Sequence, residues 1–237
     1  MSTAHPLRRF VPRRETLRYG GFLVVAEVLL LAVYFDTTGI TPTSATRDLY
    51  LYPFVWINVA LWGVWRAEVP DAPTSRRALA ALVGVGYFLL LGYVGGLYAV
   101  VDAPFTTGVD VRFWTLPPGW SPAILYTGSW LTVALVPFRV VGYAALAYLV
   151  YGVVLDATGS GGGAMAGVVG LFSCVSCTLP VVAGIVSGFV GGAGFLVSAT
   201  DSLTYGASTV VFVVTVLLLV WRPTAADVSR ARTWLGR

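Results

Sequence analysis

Six long apolar runs dominate this chain and limit what it can fold into. A helix needs about 20 apolar residues to cross a hydrocarbon core of about 30 Å. Charged residues make up only 11% of the 237 residues, and hydrophobic residues make up 57%. We therefore predict an all-α integral membrane protein with six transmembrane helices, located in the cell membrane as a multi-pass protein. The six runs are 20–35, 49–65, 78–101, 138–155, a stretch within 163–197, and 203–221.

The fifth run is too long for one straight span. Pro180 removes a backbone donor from a helix, and the glycines near 191–194 weaken a helix further on. We predict a fifth helix that is kinked near Pro180 and ends near Gly191.

Arginine placement predicts the orientation in the membrane. All fifteen basic residues are arginine. With both termini cytoplasmic, twelve arginines lie inside and only Arg47, Arg112 and Arg139 lie outside, as the positive-inside rule requires. The arginines thus orient a membrane protein, and we expect no nucleic-acid partner. We predict one polytopic membrane domain over 1–237, with basic cytoplasmic tails at 1–19 and 222–237.

The long connection at 102–137 is external in this arrangement. Its tryptophans and prolines are typical of a segment that packs at the level of the lipid headgroups. Residues 124–136 are interpreted as an interfacial helix or a re-entrant turn, because their Thr, Gly and Ser content disfavours another full span.

Cys174 and Cys177 are the only cysteines of the chain, and they lie three residues apart inside the fifth apolar run. On a helix this spacing puts both sulfurs on one face. Two thiolates suit a soft ion such as Cu(I) or Hg(II). Disulfide exchange, or thiol oxidation linked to a quinone, is an alternative, and packing of two small side chains is another.

Two polar residues lie deep in the predicted spans. Glu27 and Asn58 both fall near the middle of the membrane, the depth also expected for Cys174. Polar groups at this depth are costly and commonly functional, so Glu27 is a candidate accessory acid beside the thiol pair. A hydrogen bond between Glu27 and Asn58 that only holds two helices together is the alternative.

Conventional enzyme chemistry is not expected from this sequence. The single histidine, His5, lies in the amino-terminal tail, so the predicted spans offer no imidazole as a haem ligand. The sequence also carries no zinc motif and no phosphate-binding loop.

The segment Leu171-Phe-Ser-Cys-Val-Ser-Cys-Thr-Leu-Pro-Val-Val-Ala-Gly184 resembles a helix of the MerT-type mercury-uptake proteins. In those proteins cysteines precede a proline and a glycine-rich apolar run, and the resemblance implies transport of a soft metal. The segment is also loosely similar to the cysteine-proline helices of the DsbD and CcdA electron-transfer family. The whole lysine-free chain resembles uncharacterised multi-pass membrane proteins of haloarchaea.

We conclude from the sequence that thiol-dependent handling or transport of a soft metal, such as copper, is the leading function. A non-catalytic accessory or assembly subunit of a membrane complex, for instance a respiratory one, is the alternative. Expected partners are the lipid bilayer and other membrane subunits or a second copy of the chain.

Overall fold

A computed structural model describes residues 14–43, 46–100, 107–159 and 194–221. The chain divides into two compact units, Met1–Ser44 and Ala45–Arg237. The first unit contains helix α1, Arg14–Thr38. The second contains α2, Arg47–Arg66; α3, Thr74–Val94; α4, Pro137–Gly159; and α5, Gly194–Trp221.

Side-chain hydrogen bonds supplement the backbone bonds at the end of helix α1. The Thr37 hydroxyl donates to the Val33 carbonyl at 2.8 Å, and the Thr38 hydroxyl donates to the Tyr34 carbonyl at 2.6 Å. Gly39 follows with a φ of +66°, a conformation that glycine adopts without steric cost. The chain thus leaves the helix directly after Thr38.

In the second unit, α4 is the central helix and packs against α2, α3 and α5. Small residues allow the close approach of the helices. The position of a Cβ on Gly63 of α2 is 2.6 Å from Val216 of α5 and 3.4 Å from Leu149 of α4. On α3, the corresponding position at Gly84 is 3.2 Å from the Ala147 carbonyl oxygen of α4.

The same contacts give the directions of the helices. Trp56 of α2 contacts Gly142 of α4 and Phe212 of α5. Seven residues later, Gly63 of α2 lies beside Leu149 of α4 and Val216 of α5. Helices α2, α4 and α5 therefore run parallel to one another. Helix α3 runs antiparallel to α4, because its Gly84 lies beside Ala147 and its end lies beside Tyr143.

A four-stranded antiparallel sheet lies between α3 and α4 in the sequence. Its strands are β1, Tyr98–Val100; β2, Gly108–Arg112; β3, Ala123–Thr127; and β4, Leu131–Leu135, in the order β1-β4-β3-β2. Strand β1 begins shortly after α3, and β4 ends one residue before α4. We call this end of the helical bundle the sheet end, and the opposite end, at residues 67–73, the turn end.

The sheet contradicts the predicted all-α fold. The interpretation of residues 124–136 as an interfacial helix or a re-entrant turn is wrong, because these residues form the β3–β4 hairpin around Gly128. Ile, Leu, Tyr, Thr and Val on either side of a Gly-Ser pair favour two short strands over a helix. The third apolar run also ends earlier than predicted, since its last residues form β1.

Three helices of the described residues are long and apolar enough to cross a membrane, at Arg18–Thr38, Thr74–Val94 and Pro137–Asp156. The prediction of six transmembrane helices is therefore wrong for this structure. A shorter apolar stretch occupies Ser208–Val220 of α5. Helix α2 is not among the three candidate spans, and charged residues at both of its ends limit its apolar run to 49–65: Arg47, Asp48 and Arg66.

Candidate functional site

Both predicted metal ligands, Cys174 and Cys177, lie outside the described residues, as does the predicted kink at Pro180. The structure therefore leaves the dithiol site as a prediction. The described residues contain no group of three or more His, Cys, Asp or Glu side chains that could hold a metal ion.

The two predicted intramembrane polar residues belong to different compact units. Glu27 lies in α1 of the first unit and is half-buried. Asn58 lies in α2 of the second unit and is also half-buried. Each takes part in an interaction, and the expected hydrogen bond between them stays a prediction.

Among the described residues of the second unit, the most elaborate side-chain arrangement is a cluster of aromatic rings around Trp56, which we call the aromatic junction. Its rings come from α2, from the segment before β3, from α4 and from α5. The junction consists of Trp56, Trp120, Phe138, Tyr143 and Phe212. Sequence analysis did not predict it.

Trp56 is the centre of the aromatic junction. Its ring stacks on Phe212 with the centroids 4.0 Å apart and an interplanar angle of 6°. Phe138 and Tyr143 of α4 meet the same indole edge-on, at centroid distances of 5.7 and 5.8 Å. Stacked and edge-to-face contacts are the favourable geometries for aromatic pairs, so Trp56 links α2 to α4 and α5.

The polar edge of Trp56 is also satisfied inside the bundle. Its indole Nε1 donates a hydrogen bond of 3.1 Å to the hydroxyl oxygen of Thr209 in α5. Both side chains are buried, and a buried N–H without an acceptor is costly. The bond therefore fixes α5 against α2 in one register.

Arg139 lies at the sheet end of α4, next to the aromatic junction. Its guanidinium donates a 3.0 Å hydrogen bond to the carbonyl of Gly95, the residue that follows α3. The same group lies 5.9 Å from the ring centre of Trp120 and 5.7 Å from that of Phe138. These distances suit cation–π attraction, so Arg139 holds the end of α3, the start of α4 and the segment before β3 together.

Trp120 connects that segment to the start of α2. Its indole Nε1 donates to the Leu49 carbonyl at 2.9 Å. Gly119, with a φ of +89°, allows the chain to pass close to Pro53, since a Cβ at residue 119 would lie 2.5 Å from the Pro53 Cβ. The segment before β3 is thus attached to α2, and through the Trp120 ring it also contacts α4.

Chemically, these residues form a structural centre. The aromatic junction, with Thr209 and Arg139, joins aromatic rings, hydroxyl groups and one guanidinium, and none of these groups is a carboxylate or thiolate. The positively charged Arg139 contacts rings and a carbonyl, which fits a role in holding the helix ends together. A signal for this centre existed in the sequence, because Trp120 and Arg139 both lie close to the predicted membrane boundary, where aromatic and basic residues act as anchors.

Comparison with known proteins gives one match. No curated protein and no solved structure matches this chain. A protein-family model matches residues 1–226, nearly the whole chain. The chain therefore belongs to DUF7546, a family of unknown function.

Proposed function

We propose that the protein is a multi-pass membrane protein that binds a soft metal ion, Cu(I) or a chemically similar one, through the thiolates of Cys174 and Cys177. The membrane part of this proposal is supported by the three long apolar helices, two of which, α3 and α4, pack against each other in antiparallel directions. Such a pair crosses a bilayer once in each direction.

The arginines support one orientation of this bundle. Arg66, Arg76 and Arg77 lie at the turn end. Helix α5 also ends there, since Val220 lies near Gly63, and four further arginines follow Trp221 in the sequence. The sheet end holds Arg47, Arg112 and Arg139. By the positive-inside rule the turn end is cytoplasmic and the sheet is on the outer side.

One observation carries the metal-binding part. Helix α4 ends at the turn end, whereas the parallel helix α5 begins at the sheet end. Residues 160–193, which include both cysteines, therefore join opposite ends of the bundle, and Cys174 and Cys177 are near the middle of this segment. Two cysteines three residues apart in an otherwise apolar stretch of sequence favour binding of a soft ion, because exchange with protein thiols needs an accessible pair.

A second candidate function is that of an accessory or assembly subunit of a membrane complex, in which the cysteines only pack. The aromatic junction favours this candidate. Large rings fill the space where α2, α4 and α5 meet, and Trp56, Phe138 and Phe212 are all buried. A filled centre of this kind serves stability rather than passage of a substrate.

Anaerobic titration of the purified full-length protein with Cu(I), in competition with a chelator, separates the two candidates. We expect about one Cu(I) per chain, and loss of this binding in Cys174→Ser and in Cys177→Ser. Ser176→Ala, in the same segment, is the matched control and keeps binding. Equal binding by the wild type and the double serine variant would overturn the metal proposal and leave the accessory role.

A further inference from the structure

We propose that one face of the four-stranded sheet lies in the outer leaflet of the membrane, at the boundary between headgroups and acyl chains. This inference rests on the membrane orientation proposed above and adds which surface of the external part contacts lipid. The occupant of the face is thus the lipid itself.

The register of the strands divides the side chains between two chemically different faces. Tyr98, Val133, Tyr126 and Val109 are aligned across all four strands, so they share one face. Val111 and Ile124 belong to the same face by alternation along their strands. We call this the apolar face. Its described strand residues carry no charge, although Val109 is 68% exposed and Ile124 is 44% exposed.

The opposite face carries polar and small side chains together with Leu125, which is aligned with Asp110. It carries Asp110 and Arg112 of β2, whose side chains pair with each other at 2.8 Å, and Thr127 and Thr132, which are aligned on β3 and β4. An antiparallel sheet with one apolar and one polar face normally buries the apolar face. Here that apolar face is exposed along β2 and β3.

Tyr98 shows in which direction the apolar face points. Its hydroxyl donates to the carbonyl of Leu89, more than one helical turn before the end of α3. Its ring also lies against Gly92, where an added Cβ would be 2.8 Å away. The side chain thus points from β1 back along α3. Since side chains of one face point the same way, the apolar face is directed toward the helices and not away from them.

The apolar face also continues the outer surface of α3. Leu82, Val85, Leu89 and Tyr93 recur at helical spacing along α3, and each is at least half exposed. At the end of this stripe the Tyr93 ring lies 6.0 Å from the Tyr98 ring, which begins the apolar face. Lipid that covers this stripe on α3 therefore also contacts the apolar face of the sheet. Tyrosine is favoured at the boundary between headgroups and acyl chains, and Tyr93, Tyr98 and Tyr126 lie there in this arrangement.

The test measures lipid contact residue by residue. Single cysteines are introduced at Val109 and, one residue further on the opposite face, at Asp110, in the full chain carrying Cys174→Ser and Cys177→Ser. Each is labelled with a small fluorophore and reconstituted in phosphatidylcholine–phosphatidylglycerol vesicles. Both positions are exposed, so the labels leave the packing intact. Tyr126→Cys and Thr127→Cys repeat the comparison on β3.

Nitroxides on the lipid acyl chains should quench the labels at 109 and 126, which lie about 5–10 Å into the headgroup boundary, while aqueous iodide should quench those at 110 and 127.

A label at Leu89 of α3 reports on the membrane proposal itself. If Leu89 is quenched by lipid but 109 responds to iodide as 110 does, the sheet inference is overturned and the membrane proposal stands. Protection of 109 from both quenchers overturns the inference in favour of contact with protein, which in these vesicles is the same chain or a second copy of it. Exposure of Leu89 to iodide overturns the membrane proposal.

Discussion

The indole of Trp56 donates a 3.1 Å hydrogen bond to the hydroxyl of Thr209, across 153 residues of sequence. The bond lies inside the bundle, beside the stacked rings of Trp56 and Phe212. It therefore joins α2 and α5, the first and last described helices of the second unit, at a point where water has no access.

Removal of this acceptor should destabilise the protein. We expect Thr209→Val, which keeps the side-chain shape, to lower the free energy of unfolding by about 1–2 kcal/mol, because the buried N–H of Trp56 loses its partner. Thr209→Ser retains the hydroxyl and should cost less than the valine variant. Thermal unfolding in detergent measures the stability of both variants. A serine variant less stable than the valine variant would contradict the role of this hydrogen bond.

The contact between α4 and α2 at Gly142 should not accept a methyl group. A Cβ at residue 142 would lie 2.5 Å from Trp56, so Gly142→Ala must displace the central ring of the aromatic junction. We expect a loss of about 1–3 kcal/mol. Gly86→Ala on α3 is the control, since nothing lies within 4 Å of its added Cβ. The alanine at 86 should be neutral or stabilising by up to about 1 kcal/mol. Equal melting temperatures for the two variants would show that the helices are less closely packed than described.

Arg139 should contribute more to stability than an exposed arginine of the sheet. Arg139→Gln removes the guanidinium from the Trp120 and Phe138 rings and from the Gly95 carbonyl, and we expect a loss of about 1–3 kcal/mol. Arg112→Gln breaks only the exposed pair with Asp110 and should cost less than about 1 kcal/mol. The difference should persist at high salt, because the contacts of Arg139 are partly buried. A loss at Arg112 as large as that at Arg139 would refute this account of the α3–α4 junction.

The described helices could be located from sequence because each contains all or most of one of the predicted apolar runs. The run at 49–65 corresponds to α2 and that at 138–155 to α4, each to within a few residues. Helix α5 begins nine residues before the predicted 203, where glycine and serine had weakened the signal.

The sheet could have been recognised from the sequence, and Trp120 and Arg139 indicated anchoring residues at the membrane boundary, but the side-chain contacts of the aromatic junction could not be predicted. Alternating β-branched and aromatic residues on both sides of Gly128 indicate a hairpin, and the tryptophans and prolines before it favoured an interfacial interpretation instead. Contacts such as Trp56 with Thr209 join distant helices, and nothing local in either sequence segment specifies the partner. The dithiol at Cys174 and Cys177 rests on the sequence pattern alone.

The most direct test of the account asks whether the two ends of the bundle lie on opposite sides of the membrane. Ser129 in the β3–β4 turn and Ser75 at the start of α3 are both exposed, and each is changed to cysteine in the chain that carries Cys174→Ser and Cys177→Ser. A membrane-impermeant maleimide is then applied to intact and to permeabilised cells. The account predicts labelling of residue 129 in intact cells and of residue 75 only after permeabilisation. Labelling of both residues from the same side would contradict a bundle that crosses the bilayer, and labelling of residue 75 alone in intact cells would contradict its orientation.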